Sequence, residues 1–200
     1  MEDAIRLAVR AQRVADPAAE EQFVRSACVL LGALMQAGPA EAAPDAAEVV
    51  RGLARLTALL GVQPTDAARL ALASPELLSA PPQRLVETMM MLRRVFPDAD
   101  LSRVADQMPA VLLCDTFALE MSARGALQEL QLLGLPPPIV TLLAQEEPSL
   151  FFGALDVVRL EQLGEAWHDS GMAALSAEEL ARDMRNDRWL QYFRNRFVCY

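Results

Sequence analysis

The sequence predicts an all-α fold built from helical repeats, and three observations carry that prediction. Ala and Leu dominate while β-branched and aromatic residues are sparse, so intrinsic preference runs toward helix along almost the whole chain. Apolar residues recur at three- and four-residue steps, as at Leu85, Met89, Leu92 and Phe96, and again at Leu119, Ala123, Ala126, Leu130 and Leu133. One proline-centred element, Pro-x-Φ-Φ with Φ apolar, returns at Pro75, Pro109 and Pro148.

Taken in order, the first helix runs from Glu2 to about Val14, with Ala4, Leu7, Ala8, Ala11 and Val14 as its apolar face. Asp16-Pro17 ends it and opens a second helix to about Met35, because proline is suited to the first helical position. Gly38-Pro39 through Pro44-Asp45 reads as a connector, and a third helix spans Ala46 to Leu60. After Leu60 three segments align. Leu60-Gly61 opens the first, a short helix from Thr65 to Ala73 follows, and Pro75-Glu76-Leu77-Leu78 closes it. Phe96-Pro97 opens the second, which ends in Pro109-Ala110-Val111-Leu112-Leu113. Leu133-Gly134 opens the third, which ends in Pro148-Ser149-Leu150-Phe151-Phe152.

Proline explains the break in each unit. It lacks an N–H, clashes with the preceding turn and pushes the residue before it out of the α region, yet it is tolerated where a new turn begins. A unit of short helix, proline break and long helix cannot cover its own apolar stripe, so neighbours are expected to stack into a right- or left-handed α-solenoid of about three recognisable units plus flanking helices. The expected organisation is N-terminal helices and connector over 1–45, repeats over 46–165 and capping helices over 166–200. In the last part Ser176 and Glu179 have capping-box spacing.

Composition narrows the function. With 53% apolar residues the chain can bury a sizeable core. The basic side chains are all Arg, and the formal net charge of −9 repels polyanions unless Arg gathers on one face. Cys28, Cys114 and Cys199 are far apart with no CxxC, which argues against a disulfide framework or zinc site; Cys28 and Cys114 read as buried, reduced thiols. The apolar runs are too short to span a bilayer, so no membrane segment is expected. The acidic start, Met1-Glu2-Asp3, is unlike a signal or transit peptide.

No catalytic constellation is visible. The single histidine, His168, sits in a stretch from Ala166 to Gly171 that reads as a loop between helices, with no nucleophile–base pattern around it. Paired acids at Glu20-Glu21, Glu146-Glu147 and Glu178-Glu179 project in different directions and suit helix starts. No phosphate loop, dinucleotide fingerprint or metal-ligand spacing occurs, so an enzyme, a cofactor and a small-molecule substrate are not expected.

The leucine-glycine openings, the prolines followed after one residue by an apolar pair, and the period of roughly 35 residues resemble the mitochondrial transcription termination factor (mTERF) family. The likeness rests on Leu60-Gly61 with Pro75-Glu76-Leu77-Leu78, on Asp100-Leu101 with Pro109 to Leu113, and on Leu133-Gly134-Leu135 with Pro148-Ser149-Leu150, covering about residues 55 to 165. The resemblance implies a curved solenoid of three-helix units in a mitochondrion or chloroplast, binding double-stranded DNA or RNA and acting in transcription or RNA metabolism. Members are usually basic, longer and preceded by a transit peptide. This chain is short, acidic and shows none, and without the resemblance a cytoplasmic location would be read.

The candidate binding residues are arginines. Arg93 and Arg94 close a long helix, where they complement the dipole or reach a phosphate. Arg84, Arg124 and Arg159 lie on or beside the other inter-repeat helices. Arg182, Arg185, Arg188, Arg194 and Arg196 are interleaved with Trp189, Tyr192, Phe193 and Phe197, a mixture that suits RNA or single strands but equally forms one apolar face closing the last repeat. The same arginines serve a second reading, a helical-repeat scaffold or assembly subunit that binds protein, which the negative charge favours. The Met89-Met90-Met91 run reads as core packing.

Overall fold

The computed structural model describes residues 2–12, 16–37, 45–152 and 157–169, together with 171, 174, 175 and 179. All regular structure among the described residues is helical. Two helices, α1 (Glu2–Ala11) and α2 (Pro17–Ala37), precede a unit that occurs three times: a long helix, a short helix and a single tight turn of helix. The first unit is α3 (Ala46–Leu60), α4 (Pro64–Ala73) and a 3-10 helix, Pro75–Leu78. The second is α5 (Pro82–Val95), α6 (Leu101–Gln107) and a 3-10 helix, Pro109–Leu113. The third is α7 (Thr116–Leu132), α8 (Pro137–Glu146) and α9 (Ser149–Phe152), and a further long helix, α10 (Val157–Asp169), packs on α7.

The break inside each unit has one geometry. The residues before the three prolines, Ser74, Met108 and Glu147, have φ of −146°, −142° and −135° with ψ of 84°, 74° and 58°. Proline's ring forbids the α region at that position, so the short helix must end there. Each pre-proline N–H still closes the short helix behind it, on Leu70, Val104 and Leu143, and each carbonyl accepts from Leu77, Val111 or Leu150 in the next turn. The chain therefore turns sharply without leaving these groups unpaired. Elsewhere, Gly61 and Gly134 close α3 and α7 at φ of 65° and 77°, a left-handed conformation that favours glycine.

The turn aims the apolar pair inward: Leu77 and Leu78, Val111 and Leu112, and Leu150 with Phe151 and Phe152 are all buried. Each set packs on the long helix of its own unit. In the first unit this needs glycine at position 52, since a Cβ there would lie 2.8 Å from the Leu78 carbonyl oxygen. Arginines close the carbonyl ends of the first two tight turns. The Arg55 guanidinium donates to Leu77 O at 3.3 Å and Leu78 O at 2.5 Å, and Arg84 donates to Leu113 O. Between the second and third units, Phe96 stands edge-on to Phe151 and Phe152, with centroids 5.1 and 5.8 Å apart.

Some expectations are corrected. Helix α1 buries Ile5 and Val9, while Leu7, expected on its apolar face, is 73% exposed. Packing on α2 and α3, with Arg6 bridging Glu2 and Glu21 and Arg10 meeting Glu20, fixes a rotation that the alanine-rich pattern left open. His168 lies in the last turn of α10 and not in a loop, because Leu160, Leu163, Ala166 and Trp167 continue a buried helical stripe past Gly164. The methionine run is divided: Met91 is buried, Met89 half-buried and Met90 exposed. Cys28 and Cys114 are half-buried. Val14 and the capping-box pair's Ser176 lie outside the described residues.

Candidate partner-binding surfaces

The arginines singled out in the sequence do not all point to one place. Arg84 is held by the Leu113 carbonyl. Arg93 donates to the carbonyls of Pro97 at 3.0 Å and Ala99 at 3.2 Å, so it closes the end of α5 as a helix-terminal cation does. Arg94 and Arg124 converge: both pair with the Glu120 carboxylate, Arg124 at 2.8 Å from one turn further along α7 and Arg94 from across the gap between α5 and α7. Arg159 stands in the first turn of α10. Arg182, Arg185, Arg188, Arg194 and Arg196, with their aromatic neighbours, lie outside the described residues.

The Arg94–Glu120–Arg124 triad is flanked by apolar side chains that the fold leaves in water. Met90, one turn before Arg94, is 68% exposed, and Phe117, three residues before Glu120, is 74% exposed. Val86 and Met121 extend the pair on each helix by a further i,i+4 step. The triad's charge is net positive, whereas the chain carries −9. Exposed Met and Phe beside arginine is the composition found at the centre of protein interfaces, and Met adds conformational adaptability. Sequence reasoning found the arginines but missed Phe117 and Met121. The signal was present, because both fall on the face of α7 away from the Leu119, Ala123, Ala126 and Leu130 seam.

A second feature involves residues that no sequence pattern singled out. Between α2 and α4 lies an open trough of about 690 Å³. Its base is made by two small buried residues, Ser26 and Ala68, and the Ser26 hydroxyl is satisfied by donating to the Gln22 carbonyl at 2.9 Å. Val29 and Leu72 form apolar rims.

Among the described residues, the groups suited to chemistry lie apart from one another. Among the described residues no three His, Cys, Asp or Glu side chains gather to hold a metal, and no helix is long and apolar enough to cross a membrane. His168 is exposed at the end of α10. Burial pushes the Cys28 thiol up from its ordinary value, the opposite of what a reactive cysteine requires. No protein-family model, no curated protein and no solved structure matches this chain.

Proposed function

We propose that this chain is a non-catalytic helical-repeat scaffold, an α-solenoid of mTERF-like units, that binds a protein partner through the exposed face of α5 and α7. The observation that carries the reading is the placement of Met90 and Phe117 in water, about one turn before Arg94 and Glu120 of the Arg94–Glu120–Arg124 triad. Covering these side chains removes apolar area from water, at about 25 cal/mol per Å², while the arginines set orientation. A photo-crosslinking residue at position 117 is expected to trap a discrete polypeptide in cells, and Met90→Asp is expected to abolish the adduct. An adduct that persists in Met90→Asp would falsify this surface.

A second reading follows the family resemblance, in which the repeats bind duplex DNA or RNA by phosphate contacts in a mitochondrion or chloroplast. It draws on the exposure of Arg94 and Arg124, whose side chains are 62% and 59% accessible and share one carboxylate. Titration with duplex DNA and structured RNA at low and moderate salt separates the two. Phosphate binding gives affinity that falls steeply with salt and weakens in Arg94→Gln and Arg124→Gln. The scaffold reading predicts no binding even at low salt.

A further inference from the structure

We propose that the trough between α2 and α4 is a second docking site, distinct from the α5–α7 face, and that it takes an acidic amphipathic helix of a partner protein. Its shape argues for a helix. On α4 the lining runs from Thr65 through Ala68 to Leu72, seven helical steps and so about 10 Å at 1.5 Å per step. That length matches the span of side-chain anchors at i, i+4 and i+7 on an incoming helix. The small base residues Ser26 and Ala68 permit close approach. The rims stand in water, Val29 at 60% and Leu72 at 40% exposure, so a drug-sized molecule would remain largely uncovered where pockets normally bury most of their ligand. A helix laid along the trough covers both rims.

Charge sets the chemistry of that helix. Three charged residues line the trough, and two are already engaged: Glu21 with Arg6 at 3.0 Å, and Arg69 with Asp106 at 2.7 Å and Asp66 at 3.5 Å. Arg25 forms no ion pair among the described residues, so the charge this site offers to a partner is positive. On a chain of net −9, an acidic helix is repelled by the molecule as a whole and attracted locally at this trough.

The test uses the full chain and two fluorescent synthetic peptides of fifteen residues, both with leucine at i, i+4, i+7 and i+11, one with glutamate and one with lysine at the flanking positions. By anisotropy the glutamate peptide is expected to bind at least about tenfold more tightly than the lysine peptide, against the preference that net charge alone would give. Val29→Asp, an exposed position whose variant should keep the helical circular dichroism of the parent, is expected to weaken binding of the glutamate peptide about tenfold or more. Arg25→Glu is expected to reverse the preference between the peptides, and Phe117→Asp to leave both unchanged. Preference for the lysine peptide in the unaltered chain, or no peptide binding, overturns the proposal. So does binding of the small apolar anion anilinonaphthalene sulfonate that Val29→Asp abolishes while peptides fail to bind. Loss in Phe117→Asp but not in Val29→Asp overturns this site and leaves the α5–α7 reading standing.

Discussion

Along the short helices, charge joins one unit to the next: Arg69 of α4 meets Asp106 of α6, and Arg103 of α6 meets Glu146 of α8 at 2.9 Å. Along the long helices α5 and α7 a single such join, Arg94 with Glu120, lies among exposed apolar side chains. Both surfaces belong to helices that bury a stripe against the same core, so the difference is not one of folding need. Partly exposed ion pairs add little stability but fix how neighbouring helices sit, because each has one geometry. Exposed Met and Phe add nothing to the fold and have a cost in solubility, which makes them the more informative signal of a partner.

The sharpest break in that comparison is between two phenylalanines. Phe151 is fully buried against Phe96, and Phe151→Ala is expected to cost about 3–5 kcal/mol in chemical denaturation. Phe117→Ala, on the exposed face, is expected to change stability by no more than about 0.5 kcal/mol. Next come two helical glycines. A Cβ at Gly52 meets the Leu78 backbone carbonyl at 2.8 Å, whereas one at Gly164 meets the Leu133 side chain, nearest at 2.9 Å. A carbonyl in a tight turn cannot step aside as a leucine can. Gly52→Ala should therefore destabilise by about 1–3 kcal/mol despite its better helix propensity, and Gly164→Ala by less, as compared by thermal melts of the two variants.

The smallest effect sharpens the charged side. Asp100 caps α6, accepting from the Ser102 hydroxyl at 2.5 Å and the Ser102 N–H at 3.0 Å. The hydroxyl bond first, and the backbone bond with it, hold this carboxyl below its ordinary value against the opposing effect of burial. Its folded value lies below its unfolded one, so the contribution is complete above the ordinary carboxylate range and is lost as pH falls through the depressed value. Asp100→Ala is expected to cost about 1 kcal/mol at neutral pH, and the gap from the parent should close in denaturation at progressively lower pH.

Much of the unit was legible because its causes are local. Proline dictates the geometry of Ser74, Met108 and Glu147 whatever surrounds them, glycine dictates the close of α3 and α7, and the four-three-four spacing of Leu85, Met89, Leu92 and Phe96 marks the packed side of α5 and the residue that follows it. Helix α1 was misread for the converse reason. An alanine-rich helix has several faces of similar hydrophobicity, and Arg6 and Arg10, reaching carboxylates of α2, decide among them. Periodicity likewise missed that α10 runs on to Asp169, where Trp167 is buried in the last turn of a helix that packs on α7.

The sequence by itself determined that this protein is helical, where its helices break, and which apolar pairs turn inward, because φ restriction, helix propensity and spacing act within a few residues. Only the tertiary structure decided what the arginines do and which apolar residues stay in water. The bond from Arg84 to the Leu113 carbonyl spans 29 residues and the pair of Arg94 with Glu120 spans 26, and no local rule fixes a partner at that distance. The trough between α2 and α4 is likewise lined from Ala18 to Val29 on one helix and from Thr65 to Leu72 on the other, far apart in sequence, and Arg25 emerges as the unengaged cation of its lining only once Glu21 and Arg69 have found their partners.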